Sequence, residues 1–159
     1  LAWTRSWQFR VGIAGLFDDP VAQAALPSAE SVEIIHHPAH RNSALQMLAW
    51  ISVQAGWEAV GGTKFRTKAG QEIAVTVTAD QASAPLGKVK LKAGDVSVSV
   101  SREAGAAHVS RKIKSPAYVA SSLSPADPDV DADLVALQLS RGGKNSLYQK
   151  ILPRFRAML

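Results

Sequence analysis

Apolar side chains at positions 7, 11 and 14, and again at 9, 13, 16 and 17, recur at three- and four-residue intervals. That spacing predicts an amphipathic helix over residues 5–17, ended by Asp18-Asp19-Pro20. A short helical piece over 20–25 is closed by Pro27, and the β-branched, apolar run Ser31–His36 reads as a strand stopped by His37-Pro38. The next segment is apolar on nearly every side, from Ala44 and Leu45 to Val53 and Ala55, which predicts a buried helix. Asn42 or Ser43 is its expected cap, with Gln46 completing a capping box, and Gly56 its left-handed stop. From 72 to 113 the period switches to two. Ile73, Val75 and Val77 alternate with small or polar residues, Val89 and Leu91 alternate with lysines, and Val96, Val98 and Val100 alternate with serines. This is the pattern of an antiparallel meander with one apolar and one polar face, and a fourth strand near 107–113 is less regular. Pro116, Pro125 and Pro128 mark a loop. A helix over about 130–141 begins among Asp129, Asp131 and Asp133, where carboxylates meet the positive helix end, and stops at Gly142-Gly143. A last helix follows Asn145 and is kinked or cut at Pro153. The helices are the available cover for the apolar sheet face, so the expected fold class is α+β: a two-layer sandwich, mainly antiparallel sheet with helices on one face, the strand at 31–36 joining it parallel to a neighbour.

Composition sets bounds on this picture. With 159 residues, 47% hydrophobic and 19% charged, residues 1–159 read as a single folded α+β domain rather than a disordered chain. No apolar run reaches the roughly 18–20 residues a membrane helix needs, so no membrane partner is expected. The first residue is not methionine and lies in an apolar-aromatic stretch, from which we expect the C-terminal domain of a longer protein. There is no cysteine, which excludes disulfides, thiol nucleophiles and cysteine metal sites in these residues and fits a cytoplasmic setting. The net charge of +5 is concentrated in the middle: residues 64–114 carry ten basic and four acidic side chains, against three and five in 1–63. That stretch suits an acidic protein surface, a sugar phosphate or nucleic acid.

Lys88, Lys90 and Lys92 put three ammonium groups about 7 Å apart on one strand face, with Arg111, Lys112 and Lys114 nearby if the fourth strand pairs. Nucleic-acid sheets add aromatic stacking platforms, and no aromatic occurs between Arg66 and Ala117, so a nucleic-acid partner is not expected. A solvated outer face or a basic docking face for protein remains. His36, His37 and His40 form the sole histidine cluster, but neighbouring strand residues point to opposite faces and no carboxylate stands near in sequence, so no metal is expected. Gly61-Gly62-Thr63-Lys64 and Gly142-Gly143-Lys144-Asn145-Ser146 lack phosphate-loop spacing, and no nucleophile elbow, metal-binding helix motif or paired-carboxylate pattern appears. No catalytic residue and no cofactor is assigned. Trp50 and Trp57 read as core. Trp3 and Trp7, flanking Arg5, read either as core or as interface anchors.

The string Leu1-Ala2-Trp3-Thr4-Arg5, the helix ending Leu16-Phe17-Asp18, the strand Val32-Glu33-Ile34 and the helix with Ala44-Leu45, Ala49-Trp50 and Gly56-Trp57 occur here in order. That ordered set resembles the C-terminal part of the OpcA family, the glucose-6-phosphate dehydrogenase assembly proteins, most strongly over residues 1–57. The resemblance implies a cytoplasmic, non-catalytic partner of glucose-6-phosphate dehydrogenase, acting by protein binding in the assembly or allosteric activation of that enzyme in the oxidative pentose phosphate pathway. It transfers no catalytic residues. The expected docking surface is Trp3, Arg5 and Trp7 together with Lys88, Lys90 and Lys92. The alternative is a regulatory module that binds a sugar phosphate or another anion. Which metabolite, if any, is involved is left open.

Overall fold

The structure is a computed structural model that describes residues 1–140 and 145–159. Residues at the start form two helices, α1 (Ala2–Arg5) and α2 (Trp7–Leu16), where the periodicity predicts one beginning at residue 5. The break at Ser6 has a local cause. The Trp3 carbonyl accepts hydrogen bonds from the Ser6 hydroxyl (2.9 Å) and from Arg10 Nη2 (2.9 Å), so side chains occupy an acceptor that a continuous helix would use in its backbone ladder. Asp19 caps α3 (Pro20–Ala25) by accepting from the Val21 and Ala22 amides, with Pro20 at the first helical position.

Strand β1 (Ser31–His36) follows, then a 3-10 turn at Pro38–His40 that runs directly into α4 (Arg41–Gln54). The expected capping box is not formed. His37 Nδ1 accepts from the Ala39 amide, helical geometry already begins at Arg41, and Ser43 and Gln46 lie buried inside the helix. Helix α4 is buried on nearly every side because β1 lies under it and α1 and α6 (Ser146–Ala157) pack over it. Its exit matches the sequence expectation. Gly56 has φ +67°, the left-handed region that favours glycine, and the Trp57 amide reaches back to the Ser52 carbonyl at 2.9 Å. Helix α6 continues through Pro153 rather than ending there.

The remaining strands are β2 (Glu58–Gly61), β3 (Lys64–Arg66), β4 (Glu72–Ala79), β5 (Ser83–Ala93), β6 (Val96–Glu103), β7 (His108–Lys114) and β8 (Val119–Pro125), before α5 (Asp131–Ser140). They form one eight-stranded sheet in the order β2-β3-β4-β1-β5-β6-β7-β8. The expected meander is therefore interrupted. Strand β1 inserts between β4 and β5, parallel to β4 and antiparallel to β5, while every other pairing is antiparallel. Two regions to which the patterning assigns no strand also pair. β2 and β3 form a short hairpin, and the proline-marked segment after 116 contains β8.

The alternation of β1, β5, β6 and β7 sends Val32, Ile34, Val89, Leu91, Val98 and Val100 to one face, where they join the core with α2 and α4. The opposite face has no helix on it among the described residues. The architecture is α+β, with helices on one side of a mainly antiparallel sheet, as the patterning predicts. The Gly142-Gly143 helix stop and the loop over 142–146 fall wholly or largely outside the described residues.

Candidate functional site

The bare sheet face is built from registered rows. Glu33, Lys90, Ser99, Lys112 and Ser121 lie side by side across β1, β5, β6, β7 and β8. The next row runs Ser31, Lys92, Ser97, Lys114 and Val119. Strand alternation places Lys88, Lys90 and Lys92 here because Val89 and Leu91 take the core positions between them. Lys112 and Lys114 join them by register, so the face carries five lysines among serines. Arg111 does not join. It falls on the other side of β7, opposite Val100, and its side chain lies against Gly12 and Gly15 of α2.

Among the described residues, one of these lysines is ion-paired. Glu33 Oε1 lies 2.9 Å from Lys88 Nζ, and both side chains are more than a third exposed, so the pair is a modest surface interaction. Towards the β5–β6 turn the face opens into a shallow basin of about 450 Å³. Lys90, Lys92 and Lys114 line it, together with Asp95 and the backbone of the turn at Gly94. The five cations are spread over a broad surface, and three of these lysines line the basin.

The tryptophan-arginine segment is distributed differently. Arg5 is pulled into the molecule: Nη1 is 2.7 Å from Asp129 Oδ1 and Nη2 is 2.6 Å from Asp131 Oδ1, and its side chain is only 6% exposed. This ties α1 to the start of α5. Burial raises the Asp129 carboxyl above its usual range, and Arg5, Arg102 and His40 pull it back in part. Trp3 is half-buried, with the Arg10 guanidinium 3.3 Å from its ring centre and Tyr148 packed beside it at 5.4 Å. Trp7 is 41% exposed and shares the outer side of α2 with Val11. Trp3 and Arg5 are thus committed to intramolecular packing, and Trp7 is the member of the trio that faces outward. It stands on the helical layer, on the opposite side of the sheet from the lysines.

The histidines serve the turn between β1 and α4. His36 is buried with Nδ1 2.8 Å from the His37 carbonyl oxygen, and His37 holds the Ala39 amide. His40 sits 5.9 Å from His37 ring to ring, and desolvation, then the Arg5 charge, lowers its pKa below 6.5. Among the described residues no group of three or more His, Asp or Glu side chains could hold a metal ion, and no helix is long and apolar enough to cross a membrane. Trp50 and Trp57 are core residues, 6% and 2% exposed.

A search among curated proteins returned no match. A family model for the C-terminal domain of the glucose-6-phosphate dehydrogenase subunit matches residues 1–152.

Proposed function

The chain belongs to the family defined by the C-terminal domain of the glucose-6-phosphate dehydrogenase subunit, and from that premise we propose that it is a non-catalytic, cytoplasmic partner that assembles or allosterically activates glucose-6-phosphate dehydrogenase, at the entry to the oxidative pentose phosphate pathway. The observation that carries this reading is the family match over 152 of 159 residues. The docking surface we assign is the open sheet face with Lys88, Lys90 and Lys92, extended by Lys112 and Lys114, with Trp7 as a separate anchor on α2. Trp3 and Arg5 support that region by holding α1 against α5 and α6. A protein that binds the active or oligomeric state of an enzyme better than the inactive one shifts the population by the difference in binding free energy, and needs no reacting group of its own.

The deciding experiment titrates the full-length protein into the cognate dehydrogenase, reading complex formation by sedimentation and turnover in parallel. Saturable binding with a change in activity or oligomer size is expected. No binding together with unchanged activity overturns the proposal.

The basin of Lys90, Lys92 and Lys114 favours one second reading, a regulatory site for a sugar phosphate. Its chemistry is three lysines that line, together with Asp95, a space large enough for a small anion. Glucose 6-phosphate or inorganic phosphate would then raise the thermal midpoint of the protein alone, and no shift at millimolar ligand would remove this reading.

A further inference from the structure

The two edges of the sheet are built differently. Strand β2 has four residues, carries Glu58 and slips register against β3 between Ala59 and Gly61. Short length, charge and a bulge are the devices by which sheets discourage further pairing. Strand β8, the opposite edge among the described residues, has none of them. It runs seven residues in unbroken register with β7, from His108↔Pro125 to Lys114↔Val119. No charged side chain occurs over 115–126, and the strand's single proline is its last residue. Val119 and Leu123 are 57% and 70% exposed.

Two hydrogen bonds set the phase of this edge. The Ser115 amide donates to Tyr118 O at 2.9 Å, and the Ala126 amide to Ala107 O at 2.8 Å. Hydrogen-bonded and non-bonded pairs alternate along an antiparallel ladder. Residues 118, 120, 122, 124 and 126 therefore turn their backbone groups towards β7, and Val119, Ser121 and Leu123 turn theirs outward. The edge offers three N–H donors and three C=O acceptors in a row. Both ends of the strand are held to the helical layer. The Tyr118 hydroxyl bonds Asp19 at the cap of α3, and Gln8 donates to the Pro125 carbonyl while accepting from the Asp127 amide. An edge fixed in this way loses little conformational freedom on pairing.

We infer that β8 is a strand-addition site that takes one extended segment of an acidic partner, continuing the eight-stranded sheet by a ninth strand. Charge selects the occupant. Lys112 and Lys114 stand one strand behind the edge, beside Ser121 and Val119 on the bare face. An incoming strand would sit about 10 Å from β7, a distance a lysine side chain spans across a small residue such as Ser121. A second copy would bring its own lysines onto the same sheet face and a further net charge of +5, so like-charge repulsion opposes self-pairing. Val119 and Leu123 would meet apolar side chains at alternate positions of the added strand, and acidic ones between or beyond them would meet the lysines. The inference rests on the binding function proposed above, under which the added strand belongs to the dehydrogenase.

Ser121→Pro removes an outward donor and no internal ladder bond, so the fold tolerates it where an ordinary strand proline would not be tolerated. Leu123→Asp leaves the backbone alone and places a negative charge against an acidic partner. Circular dichroism and thermal melting of the full-length protein check folding, and sedimentation with the dehydrogenase measures affinity. Both variants are expected to fold and to bind at least about tenfold more weakly, equivalent to ~1.4 kcal/mol. Wild-type binding with folded variants that bind within about twofold of it overturns the strand-addition site and leaves the proposed function standing. If Ser121→Pro fails to fold, Leu123→Asp decides alone. No binding by the wild type overturns the proposed function and this inference together. A wild-type dimer that Ser121→Pro dissolves assigns the edge to a second copy and overturns the acidic partner.

Discussion

Arg5 reads from the sequence as a docking residue beside two tryptophans, and its geometry gives it a structural task as well. Its guanidinium spans Asp129 and Asp131, 124 and 126 residues away, and nothing local to Trp3-Thr4-Arg5 announces those partners. Removing one side of a buried ion pair leaves a desolvated charge behind, so Arg5→Ala should lower the unfolding free energy by about 3 kcal/mol in urea denaturation. Most of that effect comes from Asp129, because Asp131 is 72% exposed and contributes little. His40 adds a pH dependence to the same corner. Its folded-state pKa is lowered below 6.5, first by desolvation and then by Arg5, so the unfolded chain binds the proton more readily. Its contribution is fully present above pH 6.5 and is lost as pH falls below it, with a slope of at most about 1.4 kcal/mol per pH unit. Replacing His40→Gln should flatten the stability profile as pH falls below 6.5, measured by thermal melting across buffers. The buried tryptophans were legible at this scale, because Trp50 lies on a helix apolar all round and Trp57 follows its glycine stop.

Elements were legible where periodicity was strong and hidden where it was weak. The buried helix α4, the strand β1 and the alternating strands β4, β5 and β6 are patterned by residues that face a core. Strand β8 is not: Val-Ala-Ser-Ser-Leu-Ser-Pro exposes most of its side chains, so burial imposes no alternation and the flanking prolines dominate the pattern. The hairpin of β2 and β3 is hidden for the same reason, with Phe65 its one buried residue. The approach of α2 to the sheet depends on a residue that carries no side chain. A Cβ at Gly12 would sit 3.0 Å from Val100 Cγ2 and 3.4 Å from Arg111 Cδ. Gly12→Val should therefore push α2 away from β6 and destabilise the protein by about 2 kcal/mol or more, despite valine's better helix propensity, as judged by chemical denaturation.

At the scale of the whole molecule, the helices among the described residues cover one sheet face and leave the other to five lysines. Reversing Lys88, Lys90 and Lys92 to Glu should weaken dehydrogenase binding about tenfold or more at low salt, with the difference shrinking as ionic strength rises. Affinity unchanged by the reversal would clear the face of a docking role and leave Trp7 or the β8 edge as the contact. By itself the sequence determined the family, the α+β class, the helix-covered apolar face and the existence of a lysine stripe, because each follows from local periodicity or from an ordered set of short strings. Only the tertiary structure decided that β1 enters between β4 and β5, that Lys112 and Lys114 join the stripe while Arg111 turns to the core, and that Arg5 is spent on α5. Those outcomes depend on strand pairing and on contacts between residues tens to more than a hundred positions apart, and a period-two pattern specifies which side of a strand is buried without specifying which strand lies beside it.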